Sequence, residues 1–210
     1  EINRASPKTQ SALLEVMEES RVTVDGATYQ AGRPFMVMAT QNPIEQAGTY
    51  RLPEAQLDRF LIKTSIGYPD HASTVQLLGG ANLKDRSRDI TAVITTQAVA
   101  DMADLAATTH VDTAVLEYIS RLCEETRNAP ETRLGVSVRG ALAMVRAAKV
   151  WAASQGRNFV LPDDVKDLAA VVWTHRLVMD PEAEFSGATA EAVLARVLAD
   201  VAAPQQRAAV

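Results

Sequence analysis

Glu1 and Asn42 are a carboxylate and an amide at two positions where strands would end: one before Glu1, the other in residues 35–39. In open parallel α/β sheets, ligands sit beyond the carboxyl ends of strands. A carboxylate and an amide at neighbouring strand ends can hold a water between them, with the carboxylate taking its proton. The Gln41-Asn42-Pro43 run also reads as an ordinary turn after a strand. Arg139 is the second residue of a helix that Ser137 caps. A cation there opposes the helix dipole at a cost of a few tenths to about 1 kcal/mol. An anion bound at that terminus reverses the sign, because dipole and guanidinium then act together. The plain alternative is an exposed, screened arginine. Arg59 closes Leu57-Asp58-Arg59-Phe60. It is either half of a charged pair on a solvated helix end or a finger presented to a phosphate on a neighbouring subunit.

The other reactive side chains read as structure. Cys123 lies on the apolar face of its helix and so belongs to the core. His71, His110 and His175 have no ligand partner at metal-binding spacing. Trp151 and Trp173 fall in helical patterns as packing residues, and no nucleophile–base pairing follows from spacing. The net charge of −5 argues against a dedicated nucleic-acid binder, which needs a basic surplus or stripe. At 47% apolar and 22% charged residues, the chain has a globular profile. No apolar run is long enough to span a membrane. One cysteine makes no internal disulfide, which points to a reducing cytoplasm.

The elements that must position these residues change character near residue 70. Before it, Ser6-Pro7 opens a helix through about Glu19, with Leu13, Leu14 and Met17 inward. A hairpin comes next around Asp25-Gly26, pairing Val22 with Tyr29 and Val24 with Ala27. Residues 35–39 are continuously apolar, as expected of a strand buried on both faces. Residues 53–59 form a short helix and residues 60–66 another strand. Beyond residue 70 come a linker with one short helix near residues 73–78 and a polar loop through residue 95. Four helices are then expected. The first, from Asp112 to about Arg127, turns Val115, Leu116, Ile119, Leu122 and Cys123 inward. The second runs from Val138 to about Ser154 with Val138, Leu142, Val145 and Ala148 inward. The third starts at Pro162 and buries Val165, Leu168, Ala169 and Val172. The last carries Val193, Leu194, Val197, Leu198 and Val201.

The segment Glu1-Ile2-Asn3-Arg4-Ala5-Ser6-Pro7-Lys8-Thr9-Gln10-Ser11-Ala12-Leu13-Leu14 resembles the end of the Walker B motif and the adjoining helix in the MoxR family of AAA+ ATPases. So do the hairpin Val22-Thr23-Val24-Asp25-Gly26, the strand end Ala39-Thr40-Gln41-Asn42-Pro43, and Leu52-Pro53-Glu54-Ala55-Gln56-Leu57-Asp58-Arg59-Phe60. Gly135-Val136-Ser137-Val138-Arg139 is similar to the sensor 2 segment that opens the family's lid helix. The resemblance covers essentially the whole chain in order. It implies an α/β fold: the carboxyl-terminal part of a P-loop-type parallel sheet, followed by an all-α lid bundle. The expected division is 1–70 for the core part, 71–130 for a linker and first lid helices, and 131–210 for the lid with sensor 2.

The resemblance also implies roles. Glu1 matches the Walker B glutamate that activates the attacking water, and Asn42 matches sensor 1, which orients that water and the γ-phosphate. Arg59 matches the arginine finger and Arg139 matches sensor 2, the two serving different nucleotides. The Asp25-Gly26 hairpin is similar to the pre-sensor 1 insertion. ATP and Mg²⁺ are implied, with a homo-oligomeric ring and partners carrying von Willebrand factor A domains. A magnesium-chelatase-type motor subunit is less well matched at Gln41-Asn42-Pro43. No Gly-Lys pair occurs in the sequence, so it holds no P-loop G-x-x-x-x-G-K-[ST]. The aspartate expected just before Glu1 is likewise missing. An opening without methionine or a preceding strand reads as a cut inside a larger protein, and these 210 residues alone are expected to be inactive. The competing reading is a non-catalytic assembly module that docks to intact subunits.

Overall fold

The computed structural model describes residues 1–42, 48–50, 52–80 and 90–204. Pro43 of the expected turn and most of the polar loop before residue 95 lie outside these. A 3-10 turn at Ile2–Arg4 leads into helix α1 (Pro7–Glu19), where the Ser6 side chain accepts from Thr9 N and proline takes the first position. Gln10 and Leu14 are its buried residues; Leu13 and Met17 are only partly covered. Strands β1 (Arg21–Val24) and β2 (Ala27–Gln30) form the expected hairpin in the expected register. Asp25 (φ 49°) and Gly26 (φ 79°) both take the left-handed conformation that a tight two-residue turn requires.

The two further strands do not form. Residues 35–39 enter no ladder, and Met36 and Met38 are 75% and 87% exposed rather than buried. A strand needs a neighbour's N–H and C=O groups. Among the described residues, the backbone rung between the two segments is Ile2 N to Thr40 O, at 2.9 Å. Residues 60–66 are likewise unpaired as a strand, for a different reason. Their backbone is taken up by the helical part, with Lys63 N donating to Val171 O at 2.9 Å.

Helix α2 (Glu54–Leu57) and helix α3 (His71–Gly79) precede the helical part. There α4 (Thr96–Ala107), capped by Thr95, has no counterpart among the expected helices. Helices α5 (Thr113–Asn128), α6 (Val138–Ser154), α7 (Pro162–Trp173) and α9 (Ala190–Asp200) match the expected four; α8 (Pro181–Phe185) is a short addition. This part is not wholly helical. Strands β3 (Thr132–Leu134) and β4 (Val178–Met179) pair antiparallel across a bulge.

One continuous core joins α5, α6, α7 and α9, centred on Tyr118, Leu122, Val136, Met144, Val165 and Trp173. Two inward faces differ from expectation. In α5 Tyr118 is buried and Leu116 is exposed. In α6 Val138 and Leu142 are exposed, while Gly140, Ala143, Met144, Ala148 and Ala152 are buried. The small residues of α6 let α7 approach closely, so the contact selects them over the larger apolar side chains. Gly135 is equally constrained: a Cβ there would lie 2.5 Å from Arg127 N.

Candidate functional site

The four candidate residues fall into two pairs. At the first, the backbone segments that carry Glu1 and Asn42 run beside each other. Ile2 N donates to Thr40 O at 2.9 Å, and Asn3 Nδ2 donates to Asn42 O at 3.4 Å. Gln10 Nε2 secures the turn from below by donating to Ile2 O at 3.0 Å. The Glu1 carboxylate faces Arg4 at 3.6 Å in a solvent-exposed pair. So the backbones of residues 2–3 and 40–42 are neighbours.

Arg59 and Arg139 form the second pair, and they share one carboxylate. Glu18 Oε2 lies 2.6 Å from Arg59 Nη1, and Glu18 Oε1 lies 2.5 Å from Arg139 Nη2. Ser137 caps α6 by accepting from Gly140 N at 3.1 Å, so Arg139 is indeed the second residue of a capped helix. The anion that its position calls for is supplied by α1. Glu18 in turn occupies the last turn of α1, where an acid also opposes the dipole. Two electrostatic misfits, a cation at one helix start and an acid at another helix end, thus satisfy each other.

Glu18 and Arg59 also line a shallow cavity of about 220 Å³ with Ser11, Leu14, Glu15, Glu19 and Gln56. Gln56 Oε1 and Arg59 Nε, both shielded from solvent, have no hydrogen-bond partner there. A larger groove of about 550 Å³, lined by residues of α5 and α9, contains none of the four candidates.

The two pairs are well separated. Gln10, at the Glu1 end, and Glu18, at the arginine end, are eight residues apart on α1, or about 12 Å along the axis. That is more than one phosphoryl group spans.

Behind the arginine pair is a seam that the sequence reading missed. Arg176 follows α7 in a 3-10 turn (Thr174–Arg176), and its side chain is 1% exposed. Its Nε donates to Val172 O at 2.7 Å, and Nη1 reaches Asp58 Oδ1 at 2.5 Å and also Asp58 O. Nη2 donates to Phe60 O at 2.6 Å and to Leu61 O at 3.4 Å. Asp58 Oδ2 accepts from Ser137 Oγ at 2.9 Å. His175 Nε2 donates to Phe60 O at 3.0 Å, and burial lowers its pKa below the ordinary imidazole value. Asp58 and Ser137 each stand beside a candidate arginine in the sequence, but nothing there ties either of them to Arg176.

Residues 1–62 match the family described as ATPase family associated with various cellular activities (AAA), and residues 124–197 match the AAA lid domain. The protein YeaC of Bacillus subtilis is 46% identical over 213 residues, covering 100% of this chain and 66% of its own length. Chaperone MoxR1 of Mycobacterium tuberculosis is 38% identical over 214 residues, covering 98% of this chain and 56% of its own. The chain belongs to the MoxR-type AAA+ ATPases. A crystal structure of a candidate ATPase from Cytophaga hutchinsonii superposes with a TM-score of 0.89 at 33% identity, covering 98% of this chain and 65% of that one. The fold is therefore part of the AAA+ ATPase fold followed by the helical lid. This MoxR-type chain spans between about half and two thirds of the length of these relatives.

Among the described residues, no group of three or more His, Cys, Asp or Glu could hold a metal ion. Arg59 and Arg139 each bring one guanidinium nitrogen to the Glu18 carboxylate, a pair of cations whose placement suits an oxyanion such as phosphate. Among the described residues no helix is long and apolar enough to cross a membrane.

Proposed function

We propose that this chain supplies the water-activating and charge-stabilising half of an ATP-hydrolysing MoxR-type ring. The observation that carries the reading is Glu18, which holds Arg59 and Arg139 together as a phosphate would. Glu1 and Asn42 act on one nucleotide: the Glu1 carboxylate takes the proton of the attacking water, and the Asn42 amide orients it. Arg59 and Arg139 act as a unit on another, held by the adjacent subunit, where their charge stabilises what develops on the transferred group. This departs from the expectation that the two arginines serve different nucleotides. It rests on their shared carboxylate and on the 12 Å or so that α1 puts between the pairs. Phosphate cradling and Mg²⁺ binding require a P-loop, and none lies in these 210 residues. Turnover would drive remodelling or cofactor insertion in client proteins, including those with von Willebrand factor A domains. The relative named a chaperone supports this reading.

Subunit mixing of the whole protein tests it. Rings of Glu1→Gln and Arg59→Ala subunits should recover ATPase activity, because some interfaces pair an intact base with intact arginines. Rings mixed from Arg59→Ala and Arg139→Ala subunits should not recover, because every interface then lacks one arginine. Mass measurement establishes that the rings are mixed. Recovery in the second mixture would separate the arginines; none in the first would overturn the division between subunits.

A further inference from the structure

Arg59 and Arg139 come from segments eighty residues apart, yet they meet one carboxylate. Something must set their spacing, and Glu18 cannot do so once a phosphate takes its place. The seam behind them can. Asp58 is the residue before Arg59; Ser137 is the N-cap two residues before Arg139. The Ser137 hydroxyl donates to Asp58 Oδ2, and Arg176 binds the other Asp58 oxygen and the Asp58 carbonyl. The remaining donors of Arg176 fasten Phe60 and Leu61, so the backbone on both sides of Arg59 is fixed to the lid.

Gly140 makes room for this. A Cβ at Gly140 would lie 3.0 Å from Arg176 Cδ and 2.7 Å from Val136 Cγ1. Trp173 Nε1 also donates to the Gly140 carbonyl at 3.0 Å, which locks α6 to the helix end that carries Arg176. Glycine inside a helix is less favourable than alanine, so its presence in α6 has to be explained by this approach.

We propose that Arg176, with Asp58 and Ser137, is a positioning unit that fixes Arg59 and Arg139 at a common spacing, so that both reach the same phosphate. The proposal rests on the reading in which these arginines act together. Arg176 touches no substrate and acts through the two arginines. Lysine cannot replace it, because one ammonium has three donors and no fork, whereas the carbonyls of residues 58, 60 and 61 need the spread of a guanidinium.

The test is a double-mutant cycle in the whole protein, reading kcat and KM for ATP. A shift of about 1 Å in a charged group can cost on the order of a hundredfold in rate, so Arg176→Lys should lower kcat by about ten- to a hundredfold. KM should stay within about threefold, since the loss falls on the transition state. Adding Arg59→Ala to Arg176→Lys should cost no more than Arg59→Ala alone, because the two changes disable one unit. Losses that multiply would show that Arg176 serves folding only and overturn the proposal. Gly140→Ala, which removes no polar group and favours the helix, provides a second entry into the cycle should Arg176→Lys not fold. It should lower kcat in the same non-additive way, and an unchanged kcat would overturn the proposal. Wild type without turnover would overturn the ATPase reading and this inference with it. Wild-type turnover that falls in Arg59→Ala but not in the seam variants would overturn this inference alone.

Discussion

Trp173 and Met38 are large apolar side chains in runs whose patterning marks them as buried, and they end in opposite places. Trp173 is fully buried under α6 with its indole N–H satisfied by Gly140 O, while Met38 is 87% exposed. The lid satisfies most of its backbone within its own elements and buries its apolar faces against its own helices, such as α6 on α7. Residues 35–39 have the composition of a central strand but meet no ladder partner among the described residues. Helical structure can be completed from local contacts; a strand remains a request for another chain segment's N–H and C=O groups. The two regions therefore differ in where their missing interactions must come from.

The largest effect should come from the lid core. Trp173→Ala removes a fully buried indole and leaves the Gly140 carbonyl without its donor. Loss of packing on that scale costs about 3–5 kcal/mol. Urea denaturation followed by lid helicity should show the whole lid transition moving to much lower denaturant. A shift below about 1 kcal/mol would mean that the lid core does not act as one unit.

A smaller effect belongs to the lid's edge. Glu131, at the start of the β3 segment, is gripped by both guanidinium nitrogens of Arg196 on α9, at 2.6 and 2.7 Å. The side-chain hydrogen bonds from Arg196 and the backbone contact lower its pKa from 4.5 to about 2. A depressed carboxylate stabilises the fold above its unfolded pKa and loses that contribution as pH falls through the folded value. Lid stability should therefore decline between about pH 4.5 and about pH 2. Glu131→Gln should flatten that part of the profile. The same slope in both proteins would assign the acid sensitivity to other groups.

The sequence was most legible where chemistry is local. Ser6-Pro7, Asp25-Gly26 and Ser137 each announce a cap or turn through their own side chains, and each stands where it was expected. The α6 face was not legible, because apolar residues surround that helix and only the tight approach of α7 selects Gly140 and the alanines. The four candidate residues were readable one at a time, from strand ends and a dipole misfit. The neighbourhood of Glu1 and Asn42 was expected from those strand ends, but the meeting of Arg59 and Arg139 was not. Glu18 had a signal of its own, an acid in the last turn of α1, but its partners are 41 and 121 residues away. Arg176 gave less, since an arginine after a helix is common and only burial shows that its donors are all in use.

The smallest expected effect is also the sharpest test of the comparison. Met38→Ser replaces an apolar side chain with a small polar one, which in a strand buried on both faces would cost several kcal/mol. Here the side chain is almost wholly exposed, and surface substitutions away from special features stay within about 0.5 kcal/mol. The unfolding midpoint of the 210-residue chain should thus barely move, while Trp173→Ala in the same preparation collapses the lid. Exposed methionines at neighbouring alternate positions also form an apolar surface that invites self-association, so Met38→Ser should reduce any concentration-dependent light scattering. A loss of about 2 kcal/mol would show that residues 35–39 are buried in solution, and the contrast with the lid would fail. The same substitution in the whole protein supplies the complement: a large loss there and none in the 210 residues would show that a segment outside this chain pairs with residues 35–39.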